Sequence, residues 1–315
     1  MDEPIPDAAY FLRAYAGAEP ESPAWFGTAI GQAPRRSLFA CGDAEIELLT
    51  WGDPARPGLL FLHGNRAHAD WWSFIAPFFA ADWHCAAISF SGMGGSGQRA
   101  EQSSMHQFIP EAHAALAAAG MQRPVLIGHS MGASVGLHAA TDNDLFSGLI
   151  LIDSPVVRDP MSLRYPDMSM ARPQREPRPF ASLADGLARF RLSPPQPCLN
   201  PFIGDFIARR ALEERGGAWH WRFDPRGLAM TAAQLPVRPE LVRCPIAYLY
   251  GDRSALLTPE WLAETRQLLP AGTPLIAIPD AAHHVPVDQP LALVAALRAV
   301  LAGWQSRSGA GVSTL

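Results

Sequence analysis

Six short apolar runs divide the chain, at residues 59–62, 85–88, 125–127, 149–152, 246–250 and 275–278. Each is too short for a buried helix and lacks the apolar–polar alternation of a strand with one wet face. Each therefore reads as a strand covered on both sides. Segments of helical length and period separate them, such as 103–119 and 258–269. Strand alternating with helix predicts an α/β fold with a mostly parallel central sheet between two layers of helices. Ahead of the first run, Glu45-Ile46-Glu47-Leu48 alternates as a half-buried strand, and Trp51-Gly52-Asp53-Pro54 forms a turn.

One stretch breaks the rhythm. Residues 155–239 hold no buried-strand run, and 171–179 are crowded with Pro and Arg. Two helical patches follow, near 181–191 and 201–215. The aromatics Phe180, Phe190, Phe202, Phe206, Trp219, Trp221 and Phe223 favour a folded helical lid over a linker. The expected organisation is an N-terminal arm (1–43), a core (44–154 and 240–303), the lid inserted between its halves (155–239), and a flexible tail (304–315).

Composition removes several chemistries. Apolar residues make up 48% and charged residues 17% of the chain, a globular balance. All 25 basic residues are Arg. Schiff-base catalysis and a P-loop lysine are thereby excluded, and any general base must be His, a carboxylate, Tyr or Cys. A net charge of −5 argues against nucleic acid as a partner. No apolar run approaches the ~20 residues of a membrane helix. The N-terminus lacks the basic and apolar regions of a signal peptide. Cys41, Cys85, Cys198 and Cys244 are scattered, as reduced thiols would be. A cytoplasmic protein acting on a small molecule, without nucleic acid, membrane, metal or cofactor, is the expectation.

Gly128-His129-Ser130-Met131-Gly132 fits G-x-S-x-G, directly after the strand at 125–127 and before an apolar helical segment. In that context Ser130 sits on a tight strand-to-helix turn, with helix N–H groups ready for a developing oxyanion. A serine needs a base, and Asp280-Ala281-Ala282-His283-His284, just after the last strand, offers two. His129, beside the nucleophile, points the wrong way to serve. His63 and His68 read as loop packing or substrate contact.

Together, Leu60-Phe61-Leu62-His63-Gly64, the glycine loop of residues 89–97, the G-x-S-x-G pentapeptide and the segment from His283 to Gln289-Pro290 resemble the α/β-hydrolase superfamily, in its lid-bearing branch of small-molecule hydrolases. The resemblance spans roughly residues 44–303. It implies an α/β-hydrolase fold with a helical lid inserted after strand six. It also implies His283 as base, since that His stands seven residues before Pro290, and the N–H groups of Asn65 and Met131 as oxyanion donors.

Two departures stand out. In the glycine loop, Ser89 and Ser91 replace the family's Asp and Arg. At the family's usual acid position the chain has Ser254, which cannot carry the charge that stabilises an imidazolium. Asp153, ending the strand at 149–152, is the preferred substitute, with Asp252 as the alternative acid. Trp71, Trp72, Val156, Phe190 and Trp219 are candidates to line a substrate pocket. Arg189 or Arg191 would face a substrate carboxylate if there is one.

The resemblance implies a serine hydrolase of an ester, lactone or related acyl bond in a small, largely apolar substrate. Carbon–carbon hydrolysis or a lyase with the same triad, and a non-catalytic ligand-binding protein on the same fold, are the alternatives. An Asp-nucleophile dehalogenase or epoxide hydrolase is excluded, because Ser130 occupies the nucleophile's place.

Overall fold

A computed structural model describes residues 7–101, 105–159, 178–223 and 237–310. The Pro/Arg tract at 171–177, the start of the segment at 103–119 and residues 311–315 lie outside the described residues. In chain order the elements are α1 (Ala24–Gly31), β1 (Arg35–Cys41), β2 (Ala44–Trp51), β3 (Gly58–Leu62), β4 (His84–Ser89), α2 (Phe108–Ala118), β5 (Val125–His129), α3 (Met131–Ala139) and β6 (Gly148–Ile152). There follow α4 (Leu183–Leu187), α5 (Pro201–Arg210), β7 (Leu212–Arg215), β8 (Ala218–Trp221), β9 (Ile246–Gly251), α6 (Pro259–Leu268), β10 (Leu275–Ile278), α7 (Val285–Asp288) and α8 (Pro290–Ala310).

Eight strands form one sheet in the order β1-β2-β4-β3-β5-β6-β9-β10. β2 runs against both neighbours, and every other pairing from β4 to β10 is parallel. Successive side chains of a strand face opposite ways, so each run feeds two cores. Leu59, Phe61, Ile127 and Ile150 pack with Phe74, α8 and the lid on one face. Leu60, Leu62, Leu126 and Leu149 pack with α2 and α3 on the other. β3, β5 and β6 are buried along their whole length, each large side chain contributing about 1.5–3 kcal/mol.

Three boundaries differ from expectation. The arm is part of the body, because β1 pairs with β2 along its full length. Its exposed Arg35 and Arg36 mask the strand pattern and suit an edge strand, where charge discourages further pairing. The helical patch expected at 201–215 stops at Arg210, and β7 and β8 form an antiparallel hairpin. Gly216 and Gly217, with φ of 63° and 78°, supply the two left-handed residues of its turn. The tail does not begin at 304, since α8 continues to Ala310 and Trp304 lies over Gly148. Leu301 and Trp304 extend the apolar face by one more turn.

Between β6 and β9 the inserted segment docks by its aromatics. Phe206 packs on Phe26 and Phe74, and Phe190 stands edge-on to Phe11. Polar ties reinforce the docking. His68 Nε2 donates to the Ile207 carbonyl (3.0 Å), and Arg210 pairs with Asp70 (3.3 Å). Among the described residues, no helix is long and apolar enough to cross a membrane.

Candidate active site

Ser130 lies between β5 and α3 with φ 52° and ψ −120°, a backbone that residues with a Cβ rarely adopt. Its neighbours make the turn possible. A Cβ on Gly128 would overlap the Gly132 carbonyl, and one on Gly132 would overlap the Leu62 carbonyl, so only glycine fits either place. The Ser130 N–H donates to the Ile152 carbonyl (2.8 Å), fixing the elbow against β6.

Asp153 follows β6 directly. It is fully buried and also left-handed, with φ 49°. Its Oδ1 accepts the Gly251 N–H (2.9 Å). Its Oδ2 accepts the Ser254 hydroxyl (2.6 Å) and His283 Nδ1–H (2.7 Å). A buried carboxylate needs such donors, and those facing an ionised acceptor are the strong kind. Asp252 is exposed, and its side chain has no bonding partner among the described residues. Ser254, at the family's acid position, donates its hydrogen bond to Asp153, a contact that sequence reasoning missed.

The loop bearing His283 is held on several sides. Ala282 N–H donates to Asp288 Oδ2 (2.8 Å), and Arg253 N–H donates to the Ala281 carbonyl (2.9 Å). A Cβ on Gly251 would overlap the Ala282 carbonyl, so β9 presses directly on this loop. With Nδ1 committed to Asp153, the lone pair of neutral His283 is at Nε2. Neither that nitrogen nor the Ser130 hydroxyl is bonded to a described residue; a nucleophile–base bond commonly tightens only around substrate.

Two further histidines surround His283. His129 Nε2 donates to the His283 carbonyl (2.9 Å), and burial pushes its pKa down to about 3. His284 Nε2 donates to the Pro194 carbonyl (3.2 Å), while its Nδ1 is buried without a partner. Burial and the neighbouring rings hold His284 well below its ordinary value. Trp71 lies beside both, 6.4 Å from His129 and 5.6 Å from His284 between ring centroids. One ring nitrogen from each of His129, His283 and His284 lies within 4.8 Å of the others. These are the described residues that could hold a transition metal, and only by withdrawing His283 from base chemistry. His63 and His68 stand apart as packing residues. His63 donates from Nδ1 to the Gly64 carbonyl (2.7 Å) and accepts Phe90 N–H at Nε2 (3.0 Å).

The other predicted positions fall into two groups. Asn65 follows Gly64, whose Cα faces Ser130, and Met131 is the first residue of α3. Neither amide N–H has a backbone acceptor among the described residues, as a donor kept for a ligand requires. Trp71 reaches the site through the two histidines. Trp72 turns into the core onto Phe61 (5.0 Å), because consecutive residues of a tight helical turn face different ways. Val156 lies in the α2–α3 core, its N–H bonded to Thr265 Oγ1 (2.9 Å). Phe190 and Trp219 belong to the aromatic packing of the lid, Trp219 bridged to Phe180.

The glycine loop keeps its place by new bonds. Ser89 donates to Glu47 (2.6 Å) and accepts from Ala69 N–H (2.9 Å). Ser91 accepts from Arg99 (3.1 Å), which pairs with buried Glu111 (2.7 Å). The missing Asp–Arg pair is thus replaced by residues from β2, α2 and the loop itself.

Comparison with known proteins agrees with this architecture. The chain is 25% identical over 266 residues to esterase Rv0045c of Mycobacterium tuberculosis, covering 81% of this chain and 86% of the relative. It is 25% identical over 261 residues to the sn-1-specific diacylglycerol lipase ABHD11 of Mus musculus, covering 80% and 83%. Among solved structures, an E-2-(acetamidomethylene)succinate hydrolase superposes with a TM-score of 0.73 at 20% identity, over 84% of this chain and 97% of that one. The pattern of the alpha/beta hydrolase family matches residues 59–297, most of the chain. With its elbow and sheet, the chain belongs to the α/β-hydrolase family.

Proposed function

We propose that this hydrolase cleaves an ester, lactone or related acyl bond of a small, largely apolar substrate through an acyl-enzyme on Ser130. The observation that carries the reading is the 2.7 Å bond from His283 Nδ1 to buried Asp153, on the loop facing the elbow. It sets the imidazole tautomer and orientation that a serine nucleophile requires.

Ser130 Oγ attacks the acyl carbonyl carbon while its proton passes to His283 Nε2. The carbonyl oxygen becomes an oxyanion held by the N–H groups of Asn65 and Met131; one such donor is worth about 10²–10³ in rate. His283, now charged and stabilised by Asp153, returns the proton to the leaving oxygen as the carbon–oxygen bond breaks. Water then attacks the acyl-enzyme, losing its proton to His283, and Ser130 departs as that proton is returned to it. An ester yields an acid and an alcohol, a lactone a single hydroxy acid, and no step needs a cofactor.

The names of the relatives, an esterase and a diacylglycerol lipase, support an acyl substrate. Free Cys41, Cys85, Cys198 and Cys244 suit a reducing compartment such as the cytoplasm. A panel of p-nitrophenyl esters and lactones of increasing acyl length tests the reading. Turnover by wild type and its loss in Ser130→Ala is the expected result. Wild-type turnover that persists unchanged in Ser130→Ala contradicts it.

A further inference from the structure

Among the described residues, several buried or partly buried arginines have acidic partners. Arg99 pairs with Glu111, Arg209 with Asp205, and Arg210 with Asp70. Arg66 is the exception near Ser130. It follows Asn65 on the turn after Gly64, with φ 57°, a left-handed backbone unusual for a side chain of its size. Its Nε is buried with no hydrogen-bond partner. Its guanidinium lies over the Phe223 ring, 5.3 Å from the centroid. The nearby charge is of the same sign: burial and Arg191 together push the Arg66 pKa down to about 10. Arg191 has no acidic partner among the described residues either.

A strained backbone, a desolvated donor and a like-charge neighbour all oppose folding, and among the described residues the Phe223 ring offsets only part of that cost. An anion between the two guanidinium groups would offset all three, since planar guanidinium forks match a carboxylate and Phe223 supplies an apolar wall. Arg66 follows Asn65 on the loop that begins at Gly64, which lies against Ser130, so the subsite would sit on a loop that borders the elbow.

We infer that Arg66 and Arg191 form an anion subsite, and that the substrate of the proposed acyl hydrolysis carries a carboxylate close to its scissile bond. This rests on the serine hydrolase reading above and narrows its substrate class. Arg189 is not part of the subsite, since its guanidinium lies over Tyr10, 5.5 Å from the ring centroid.

Two chain-matched probes test it: mono-p-nitrophenyl glutarate, which carries the acid, and p-nitrophenyl pentanoate, which does not. Wild type should favour the acidic ester by about tenfold or more in kcat/KM. That ratio should fall about tenfold in Arg66→Gln and in Arg191→Gln, as expected when a buried polar contact to substrate is lost. Arg189→Gln should keep the wild-type ratio. A wild-type preference for the neutral ester, or a ratio unmoved in both Arg66→Gln and Arg191→Gln, overturns the subsite and leaves the hydrolase reading intact. If neither ester turns over, the hydrolase reading fails, and calorimetric titration with glutarate then reads the arginines alone. Glutarate binding that is lost in Arg191→Gln supports the subsite, and no binding to wild type overturns it.

Discussion

Ser254 and His283 bond to the same oxygen of Asp153, from 2.6 Å and 2.7 Å. Ser254, at the position where the family usually keeps its acid, thus points at the carboxylate proposed to replace that acid. β6 and β9 are parallel neighbours, so the ends of both strands reach the same side of His283. An acid on either strand can meet the same imidazole nitrogen. Asp153→Asn should lower kcat by roughly 10³–10⁴ by removing the charge that fixes the imidazole. Asp252→Asn should leave kcat near wild type, and steady-state kinetics of the two variants checks the contrast.

Moving the acid back supplies a second prediction. Asp153→Asn combined with Ser254→Asp should recover at least about tenfold of the kcat lost in Asp153→Asn alone, because the longer side chain at 254 points at the oxygen that His283 bonds, and so brings a carboxylate within reach of the imidazole. Ser254→Ala alone should reduce kcat mildly, in keeping with a single bond worth about 1 kcal/mol. A double variant no faster than Asp153→Asn would show that the strand ends are not interchangeable.

The elbow predicts a stability contrast between two glycine substitutions. Gly132→Ala drives a methyl group into the Leu62 carbonyl and should destabilise the fold by at least about 1–3 kcal/mol. Gly303→Ala, inside α8 with nothing within 4 Å of the added carbon, should stabilise it by about 0.5–1 kcal/mol. Urea unfolding midpoints measure both, and equal shifts of the same sign would contradict the packing described.

Buried neutral histidines set a pH dependence of stability. Burial pushes His63 and His129 down to about 3 and His138 to about 4, from 6.5. Above pH 6.5 neither folded nor unfolded chain is protonated at these sites, and stability is whole. As pH falls below 6.5, the unfolded chain takes up protons that the folded chain refuses until about pH 3 to 4. Stability therefore declines through that window, by up to about 1.4 kcal/mol per pH unit for each histidine. Glu111 and Asp288, whose carboxyls burial raises, act in the opposite sense nearer the carboxylate range. The urea midpoint should thus be lower at pH 5.5 than at pH 7, and a higher midpoint would refute the assignment.

How legible all this was depended on how local each signal is. β3, β5 and β6 announce themselves because a strand buried on both faces must be apolar throughout. Ser130, Asp153 and His283 could be singled out for a similar reason, each following a strand with a distinct apolar run, and the fold brings Asp153 and His283 within hydrogen-bond distance. β1 was hidden because an edge strand tolerates Arg35, Arg36 and Ser37. The β7–β8 hairpin was hidden because Glu213, Glu214 and Arg215 carry little apolar pattern. Ser254 is 101 positions from Asp153 in the chain, and Arg66 stands still further from Arg191. Their roles arise only when the folded chain brings them together, which no periodicity encodes.

The central claim is that Ser130 is a nucleophile activated by His283. Incubating the folded protein with a fluorophosphonate and mapping the adduct by peptide mass spectrometry tests it most directly. One covalent adduct is expected, on Ser130, with labelling slowed strongly in His283→Ala and absent in Ser130→Ala. A folded wild-type protein that takes no label, or takes it elsewhere, would contradict the account.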